Sequence, residues 1–170
     1  MFEIRVSGLA DAARLRREWA TLTIGLFDPD HPLRPAGSAS YHQECFCDLE
    51  DRATPSQAPS LEAIGRILDY AAGFRDDDRV LVHCAVGVSR STAVAILVLV
   101  RHGMAPDRAF AHVAQLRPAM SPNMLIIEHG ERLLGLNGRL KSAYLGWHRA
   151  ALSGGVPSGG VQTPAARTHG

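Results

Sequence analysis

Lysine, cysteine and long apolar runs are scarce in this chain of 170 residues. Lys141 is the only lysine, and 18 basic residues nearly balance 17 acidic ones, which gives a formal net charge of +1. This balance gives no reason to expect a nucleic-acid partner. The three cysteines do not suggest a disulfide framework and favour a reducing compartment. The longest apolar run, Ala93 to Val100, is far too short to cross a bilayer, so we expect no membrane partner.

The overall composition is that of an ordinary folded domain. Hydrophobic residues make up 46% of the chain and charged residues 21%. A length of this order suits one hydrophobic core, so we expect a single domain over residues 1–152. From Ser153 the sequence turns to Gly, Pro, Ser and Thr, which predicts a disordered tail over 153–170. Residues 1–20 contain no long apolar segment of the signal-peptide kind, and we expect a cytoplasmic protein.

Strand patterns and helix patterns alternate along the chain. Phe2 to Val6 alternates apolar and polar residues as a half-buried strand does, whereas Leu61 to Phe74 repeats apolar residues at helical spacing. The predicted strands are 2–6, 21–27, 41–49 and a run that starts at Arg79, and the predicted helices are 9–19, 61–74, 91–102, 106–116, 124–134 and 140–150. Such alternation favours an α/β fold whose sheet is covered by helices on both faces.

One strand–loop–helix unit carries the candidate chemistry. An apolar run from Arg79 leads into a short loop that contains Cys84, Gly87 and Arg90, and the loop opens the most apolar helix of the chain. Backbone N–H groups that converge in a turn at a helix N-terminus form a phosphate site. The same dipoles, together with a guanidinium, favour a thiolate and should lower the pKa of Cys84. A thiolate held beneath a phosphate group is a nucleophile directed at phosphorus.

The residues His83-Cys84-x-x-Gly87-x-Ser89-Arg90-Ser91 resemble the signature of cysteine-dependent protein tyrosine phosphatases in their dual-specificity form. The likeness is strong from Val80 to about His102 and weaker as far as Leu134, where it is similar to small bacterial members of the family. It implies the family fold, a central, mostly parallel β-sheet flanked by helices on both faces. It also implies hydrolysis of phosphoric monoesters through a cysteinyl-phosphate.

The resemblance assigns a role to each matching position. Cys84 would attack phosphorus, and Arg90 would hold two phosphate oxygens and stabilise charge in the transition state. Ser91 would donate a hydrogen bond to the thiolate, His83 would orient the loop, and the Ser89 side chain would bond within it. The backbone N–H groups that would complete the phosphate site belong to Ala85, Val86, Gly87, Val88, Ser89 and Arg90.

Cleavage of the phosphorus–oxygen bond also needs a general acid, because an alkoxide or phenoxide must be protonated as it leaves. In the family this acid is an Asp on a separate loop some thirty residues before the cysteine. Asp48 and Asp51 both fit, and Glu44 and Glu50 are weaker candidates. We prefer Asp48 because it lies at the end of the predicted strand Tyr41 to Leu49, which would fix it on the scaffold. Asp51 stays as the alternative.

These observations predict a phosphatase that acts on phosphotyrosine proteins, with or without dual specificity. It would need neither a metal ion nor another cofactor, its partner would be a phosphorylated protein or peptide, and a monomer is the default. The variable loop residues Ala85, Val86 and Val88 carry no charge, which disfavours an inositide polyphosphate. Two other functions stay open: a phosphoprotein-binding module that has lost activity, and a rhodanese-like sulfurtransferase.

Cys45 and Cys47 also have two interpretations. As alternate residues of a strand they would share one face, and small buried thiols are common in cores. The alternative is that one of them forms a reversible disulfide with oxidised Cys84.

Overall fold

The computed structural model describes residues 1–30, 40–50 and 56–153. Asp51 and the predicted tail beyond Ser153 lie outside these residues. The chain forms four strands and six helices within the described parts. They are β1 (Glu3–Ser7), α1 (Leu9–Glu18), β2 (Leu22–Phe27), β3 (Tyr41–Cys45), α2 (Leu61–Ala71), β4 (Arg79–His83), α3 (Arg90–Arg101), α4 (Pro106–Leu116), α5 (Met124–Leu133) and α6 (Arg139–Leu152).

The sheet has the order β1-β4-β2-β3, and all three of its strand pairs are parallel. Val82 of β4 pairs with Val6 of β1 on one side and with Ile24 of β2 on the other. The strand that precedes the candidate loop is therefore central. Its residues Val80, Leu81 and Val82 are completely buried, as strands covered on both faces are.

In the described part of the chain, helices cover both faces of the sheet, with five helices contributing to the core on one face and α1 on the other. On one face, Val80 and Val82 belong to a single core that also contains buried residues of α2, α3, α4, α5 and α6. On the other face α1 contacts β1 and β4, and the Arg16 guanidinium of α1 lies 4.6 Å from the centroid of the Tyr41 ring. The predicted α/β fold with a parallel sheet is confirmed.

Helix α3 is the centre of the larger layer. Eleven consecutive residues, Arg90 to Val100, are buried, so the helix is enclosed on every side. It contacts α2, α4 and α5 as well as the sheet. Because α3 starts at Arg90, this packing fixes the end of the candidate loop to the most buried helix of the chain.

The prediction of a strand from Tyr41 to Leu49 is wrong in its length, because β3 ends at Cys45. Its neighbour β2 ends at Phe27, which pairs with Cys45, so the ladder has no further strand partner. Beyond it the Phe46 N–H donates to the Phe27 carbonyl, and the Cys47 N–H donates to the Gln57 carbonyl instead. Asp48 therefore lies in a loop, and the strand argument that placed Cys45 and Cys47 on one face does not hold.

The remaining predicted elements agree with the structure to within three residues at their ends. The helix predicted over 106–116 has those bounds, and the helix predicted over 61–74 ends earlier, at Ala71. No helix among the described residues is both long enough and apolar enough to cross a membrane.

Candidate active site

The loop from Cys84 to Ser89 lies at the carboxyl end of β4 and at the N-terminus of α3. Ligand sites of open parallel sheets form at this edge, because the loops that leave the strands gather there. Cys84 is only 3% exposed, and Arg90 is also 3% exposed, so the thiol and the guanidinium are both held within the protein. We call residues 84–90 the phosphate loop.

The sulfur of Cys84 is hydrogen-bonded to the phosphate loop and to the residue that follows it. The Gly87 N–H donates to Cys84 Sγ at 3.2 Å, and Ser91 Oγ lies 3.2 Å from the same sulfur. Burial alone would raise the pKa of Cys84, but the Ser91 hydroxyl, the N–H groups of Ser91 and Gly87 and the charge of Arg90 outweigh it and lower that pKa. The surroundings therefore favour the thiolate.

Five consecutive carbonyl groups of the phosphate loop, those of Ala85 to Ser89, are bonded to groups on its outer side. The Ala85 carbonyl accepts from the Leu9 N–H, and the carbonyls of Val86 and Gly87 accept from the Arg117 side chain. Those of Val88 and Ser89 accept from the Thr92 hydroxyl. In a trans peptide the N–H points away from the carbonyl of the preceding residue. The following N–H groups are therefore turned to the inner side, where an anion would meet them.

Two glycines allow the phosphate loop to pack tightly on the end of β1. Gly87 has a φ of +79°, a conformation that side chains rarely adopt, and a Cβ there would lie 2.5 Å from the Gly8 nitrogen. A Cβ on Gly8 would in turn lie 2.8 Å from the Val86 carbonyl oxygen. The Leu9 N–H then bonds the Ala85 carbonyl at 3.0 Å. The backbone of the phosphate loop and that of the β1–α1 turn are in direct contact.

Arg90 is held by one of its terminal nitrogens. Its Nη1 donates to Asp28 Oδ1 at 3.0 Å and to the Phe46 carbonyl at 2.7 Å, which uses both hydrogens of that nitrogen. The buried Nε has no hydrogen-bond partner among the described residues. A buried donor without a partner is costly, so it marks a place for an acceptor. Nε and Nη2 form one edge of the guanidinium, and an edge of this kind can donate to two oxygens of one oxyanion.

Asp48 reaches the phosphate loop although it does not belong to a strand. Its Oδ1 accepts from Ser89 Oγ at 2.7 Å and from Asn123 Nδ2 at 2.8 Å. The Ser89 hydroxyl thus joins two loops instead of bonding within its own. The structure brings Cys84, Arg90, Ser91 and Asp48 to one end of the sheet, while Asp51 lies outside the described residues.

His83 faces the opposite side of the sheet from the core that contains Val82. Its Nε2 lies 3.2 Å from the Tyr41 hydroxyl of β3, and its Nδ1 has no partner within the described chain. Burial lowers the pKa of His83 to about 4, and the nearby charge of Arg16 acts in the same direction. The imidazole is therefore neutral near pH 7, and its hydrogen bond with Tyr41 runs to β3 and not to the phosphate loop.

Comparison with known proteins decides the family. The model of the family described as "Dual specificity phosphatase, catalytic domain" matches residues 33–129, which include β3, the phosphate loop and Asn123. The chain belongs to this family. The resemblance drawn from the phosphate-loop residues is confirmed, and so is the prediction of a phosphoric monoester hydrolase at the level of the family.

Relatives in this family are phosphatases from distant organisms. The chain is 46% identical to dual specificity phosphatase 28 of Mus musculus over 111 residues, which cover 65% of this chain and 64% of the mouse protein. It is also 46% identical to dual specificity protein phosphatase 1 of Arabidopsis thaliana over 97 residues, 54% of this chain and 45% of that protein. The match therefore spans less than two thirds of either relative.

Solved structures of the family share the fold. The phosphatase domain of Yvh1 from Chaetomium thermophilum is 25% identical, covers 82% of this chain and 95% of its own, and superposes with a TM-score of 0.53. DUSP15 is 18% identical, with coverages of 88% and 93% and a TM-score of 0.54. The second likeness concerns the fold alone.

Sequence reasoning missed two side chains that contact the candidate catalytic residues. Asp28 follows β2, the neighbour of β4, so its place at the carboxyl edge of the sheet was an available signal. Asn123 lies in the weaker part of the family likeness, between His102 and Leu134, and its contact with Asp48 joins residues 75 positions apart. Nothing in the local pattern of either segment indicates that contact.

Cys45 and Cys47 are both free and half-buried. Burial, with the negative charges of Glu44 and Asp28, raises the pKa of Cys45. The thiol of Cys47 lies 3.9 Å from Gln57 Oε1. A reversible disulfide with Cys84 stays a prediction. Within the described residues no group of three histidine, cysteine or acidic side chains is arranged to hold a metal ion.

Proposed function

We propose that the protein hydrolyses phosphate esters of phosphorylated proteins by two-step transfer through a cysteinyl-phosphate on Cys84. One observation carries the proposal: the Cys84 sulfur accepts from the Gly87 N–H in a loop whose arginine has a buried Nε without a partner in the described chain. The stabilised Cys84 thiolate can attack a phosphate group that the unpartnered Arg90 Nε and the loop N–H groups would bind.

In the first step the Cys84 thiolate attacks phosphorus, so a sulfur–phosphorus bond forms while the phosphorus–oxygen bond to the substrate breaks. The inner N–H groups and the Nε edge of Arg90 bind the remaining phosphate oxygens and stabilise their charge. The leaving oxygen takes the proton of the Asp48 carboxylic acid and departs as a neutral hydroxyl group. Asp48 is then a carboxylate.

In the second step water attacks the same phosphorus and gives its proton to the Asp48 carboxylate. The sulfur–phosphorus bond breaks, inorganic phosphate forms, and sulfur leaves as the thiolate. The Ser91 hydroxyl at 3.2 Å and the Gly87 N–H stabilise the negative sulfur, which makes it a better leaving group. Both residues therefore contribute most when the thiolate is regenerated.

The proposed substrate is a single phosphate group on a protein, with phosphotyrosine the first to test. The side chains of Ala85, Val86 and Val88 offer no charge for a second phosphate, and Val86 is 69% exposed at the outer surface of the phosphate loop. The relatives named above are dual specificity phosphatases. A panel of phosphotyrosine, phosphothreonine and inositide phosphates would define the substrate class.

The test is hydrolysis of para-nitrophenyl phosphate in the presence of EDTA by the wild type, Cys84→Ser and Cys47→Ser. We expect turnover by the wild type and by Cys47→Ser, inhibition of both by vanadate, and loss of turnover in Cys84→Ser by at least about a thousandfold. Cys84→Ser should still bind tungstate, because the N–H groups and Arg90 remain. Turnover by Cys84→Ser above one tenth of the wild-type rate would overturn the covalent mechanism.

A further inference from the structure

The connection between α4 and α5 touches both loops of the candidate active site. Near its start, Arg117 donates from Nε to the Gly87 carbonyl at 3.0 Å and from Nη2 to the Val86 carbonyl at 3.2 Å. The Ser121 N–H donates to the Val88 carbonyl at 2.9 Å. At its end Asn123 bonds Asp48. One segment, residues 117–123, therefore holds the phosphate loop and the loop of Asp48 in a fixed relation.

Asn123 has a fixed orientation within this segment. It is completely buried, and its Oδ1 accepts from the Ile126 N–H at 3.1 Å as the N-cap of α5. Because the carbonyl oxygen caps the helix, the amide nitrogen points the other way. That Nδ2 donates to Asp48 Oδ1 at 2.8 Å and to the Leu49 carbonyl at 3.2 Å. All three contacts agree on the direction of the amide.

We propose that Asn123 is the residue that positions Asp48 for proton transfer, an inference that rests on the proposed function. Both hydrogen bonds to Asp48 end on Oδ1, one from Asn123 and one from Ser89. Oδ2 accepts no hydrogen bond from residues 1–30, 40–50 and 56–153. Oδ2 is thus the oxygen that carries the proton, gives it to the leaving oxygen as the phosphorus–oxygen bond breaks, and takes a proton from water in the second step.

Positioning is needed because Asp48 lies beyond the end of its strand. Strand β3 ends at Cys45, so no sheet hydrogen bond holds residue 48. The anchors of this loop are instead at the N-terminus of α5, where the Met124 N–H also donates to Glu50 Oε1 at 2.8 Å. A displacement of about 1 Å at a reacting group can cost about a hundredfold in rate. Loss of the Asn123 amide should therefore be visible in the step that uses the acid.

Asn123→Ser tests this role because serine is a good N-cap but has no amide to reach Asp48. We expect kcat/KM for phenyl phosphate, a poor leaving group, to fall by about tenfold to a hundredfold. The fall for para-nitrophenyl phosphate should be several times smaller, because a good leaving group needs less protonation. Asn123→Asp, which keeps the shape and the cap, should show the same pattern at pH 7 and serves as the second variant.

Two comparisons separate positioning from general damage. Ser60→Ala removes the N-cap of α2, where Ser60 Oγ accepts from the Ala63 N–H at 3.1 Å, and should leave the ratio of the two kcat/KM values unchanged. In an Asp48→Ala background, Asn123→Ser should cause no further loss for phenyl phosphate, because the group it positions is gone. An additive loss in that background would overturn the positioning role.

The outcomes distinguish this inference from the proposed function. If the wild type shows no hydrolysis that depends on Cys84, both the proposed function and the role of Asn123 are overturned. Wild-type hydrolysis that depends on Cys84 and Asp48, with the leaving-group ratio unchanged in Asn123→Ser and Asn123→Asp, would overturn the role of Asn123 alone. A steeper leaving-group dependence in both variants, absent from Ser60→Ala, is the result expected.

Discussion

The sulfur of Cys84 and the hydroxyl oxygen of Ser91 lie 3.2 Å apart across the first turn of α3, and both residues are buried. The contact joins the end of the central strand to the start of the central helix. A hydrogen bond from Ser91 stabilises negative sulfur in the free enzyme and again when sulfur leaves phosphorus. The same contact therefore affects the charge of the nucleophile and the rate of the second step.

Ser91→Ala should raise the pKa of Cys84, because it removes the hydroxyl that helps to lower that pKa. The pH at which the thiol reacts half-maximally with iodoacetamide should move upward, since less thiolate is present at any lower pH. The measurement is the alkylation rate against pH. Ser142→Ala, an exposed position on α6, is the control. A midpoint that stays in place or moves downward would contradict the role of Ser91.

Asp28→Ala should weaken catalysis by loosening Arg90. The Asp28 carboxylate accepts from Arg90 Nη1 at 3.0 Å, and without it the Phe46 carbonyl alone orients the guanidinium. We expect kcat/KM to fall by about tenfold, and by less in Asp28→Asn, whose amide oxygen can still accept. Asp30→Ala removes another exposed carboxylate, two residues further along the chain, and is the control. Equal effects of Asp28→Ala and Asp30→Ala would show that charge, and not orientation, matters.

His83 should make the protein less stable in acid. Its pKa is about 4 in the folded protein, against 6.5 for an ordinary histidine, because burial disfavours the charged ring. Between pH 4 and pH 6.5 the unfolded chain binds the proton more readily than the folded protein does. The contribution of His83 to the free energy of unfolding is therefore fully present above pH 6.5 and decreases as the pH falls toward 4. A difference of roughly 2.5 units corresponds to about 3 kcal/mol.

Urea unfolding at several pH values measures this effect. The decrease in the free energy of unfolding between pH 7 and pH 4 should be smaller in His83→Gln than in the wild type. His148→Gln, on the exposed surface of α6, should follow the wild type. If His83→Gln and the wild type lose the same free energy over this range, the imidazole is not the group responsible.

The phosphate loop could be predicted from the sequence because the residues that indicate it are contiguous in the chain. An apolar run, a short loop with Cys84 and Arg90, and an apolar helix are contiguous, and each pattern has one simple interpretation. The partners of these residues are not local. Asp28 is 62 positions from Arg90, and Asn123 is 75 positions from Asp48, so only the parallel order of the strands and the packing of α5 bring them together.

The length of β3 shows where pattern reasoning fails. Tyr41 to Leu49 has the residue types of a strand, but a strand ends where its neighbour ends, and β2 stops at Phe27. The reason for preferring Asp48, a position at the end of a strand, is therefore wrong. Its contacts with Ser89 and Asn123, and not a strand, hold it beside the phosphate loop.

The most direct test of the account is to identify the residue that carries phosphate during turnover. The Asp48→Ala variant, which should hydrolyse the intermediate slowly, would be mixed with a phosphotyrosine peptide, quenched in acid, digested and analysed by mass spectrometry. The account predicts phosphate on Cys84, in the peptide that also contains Arg79 to His83, and none in the Cys84→Ser control. Phosphate on any other residue, or turnover with no phosphorylated enzyme in any variant, would contradict it.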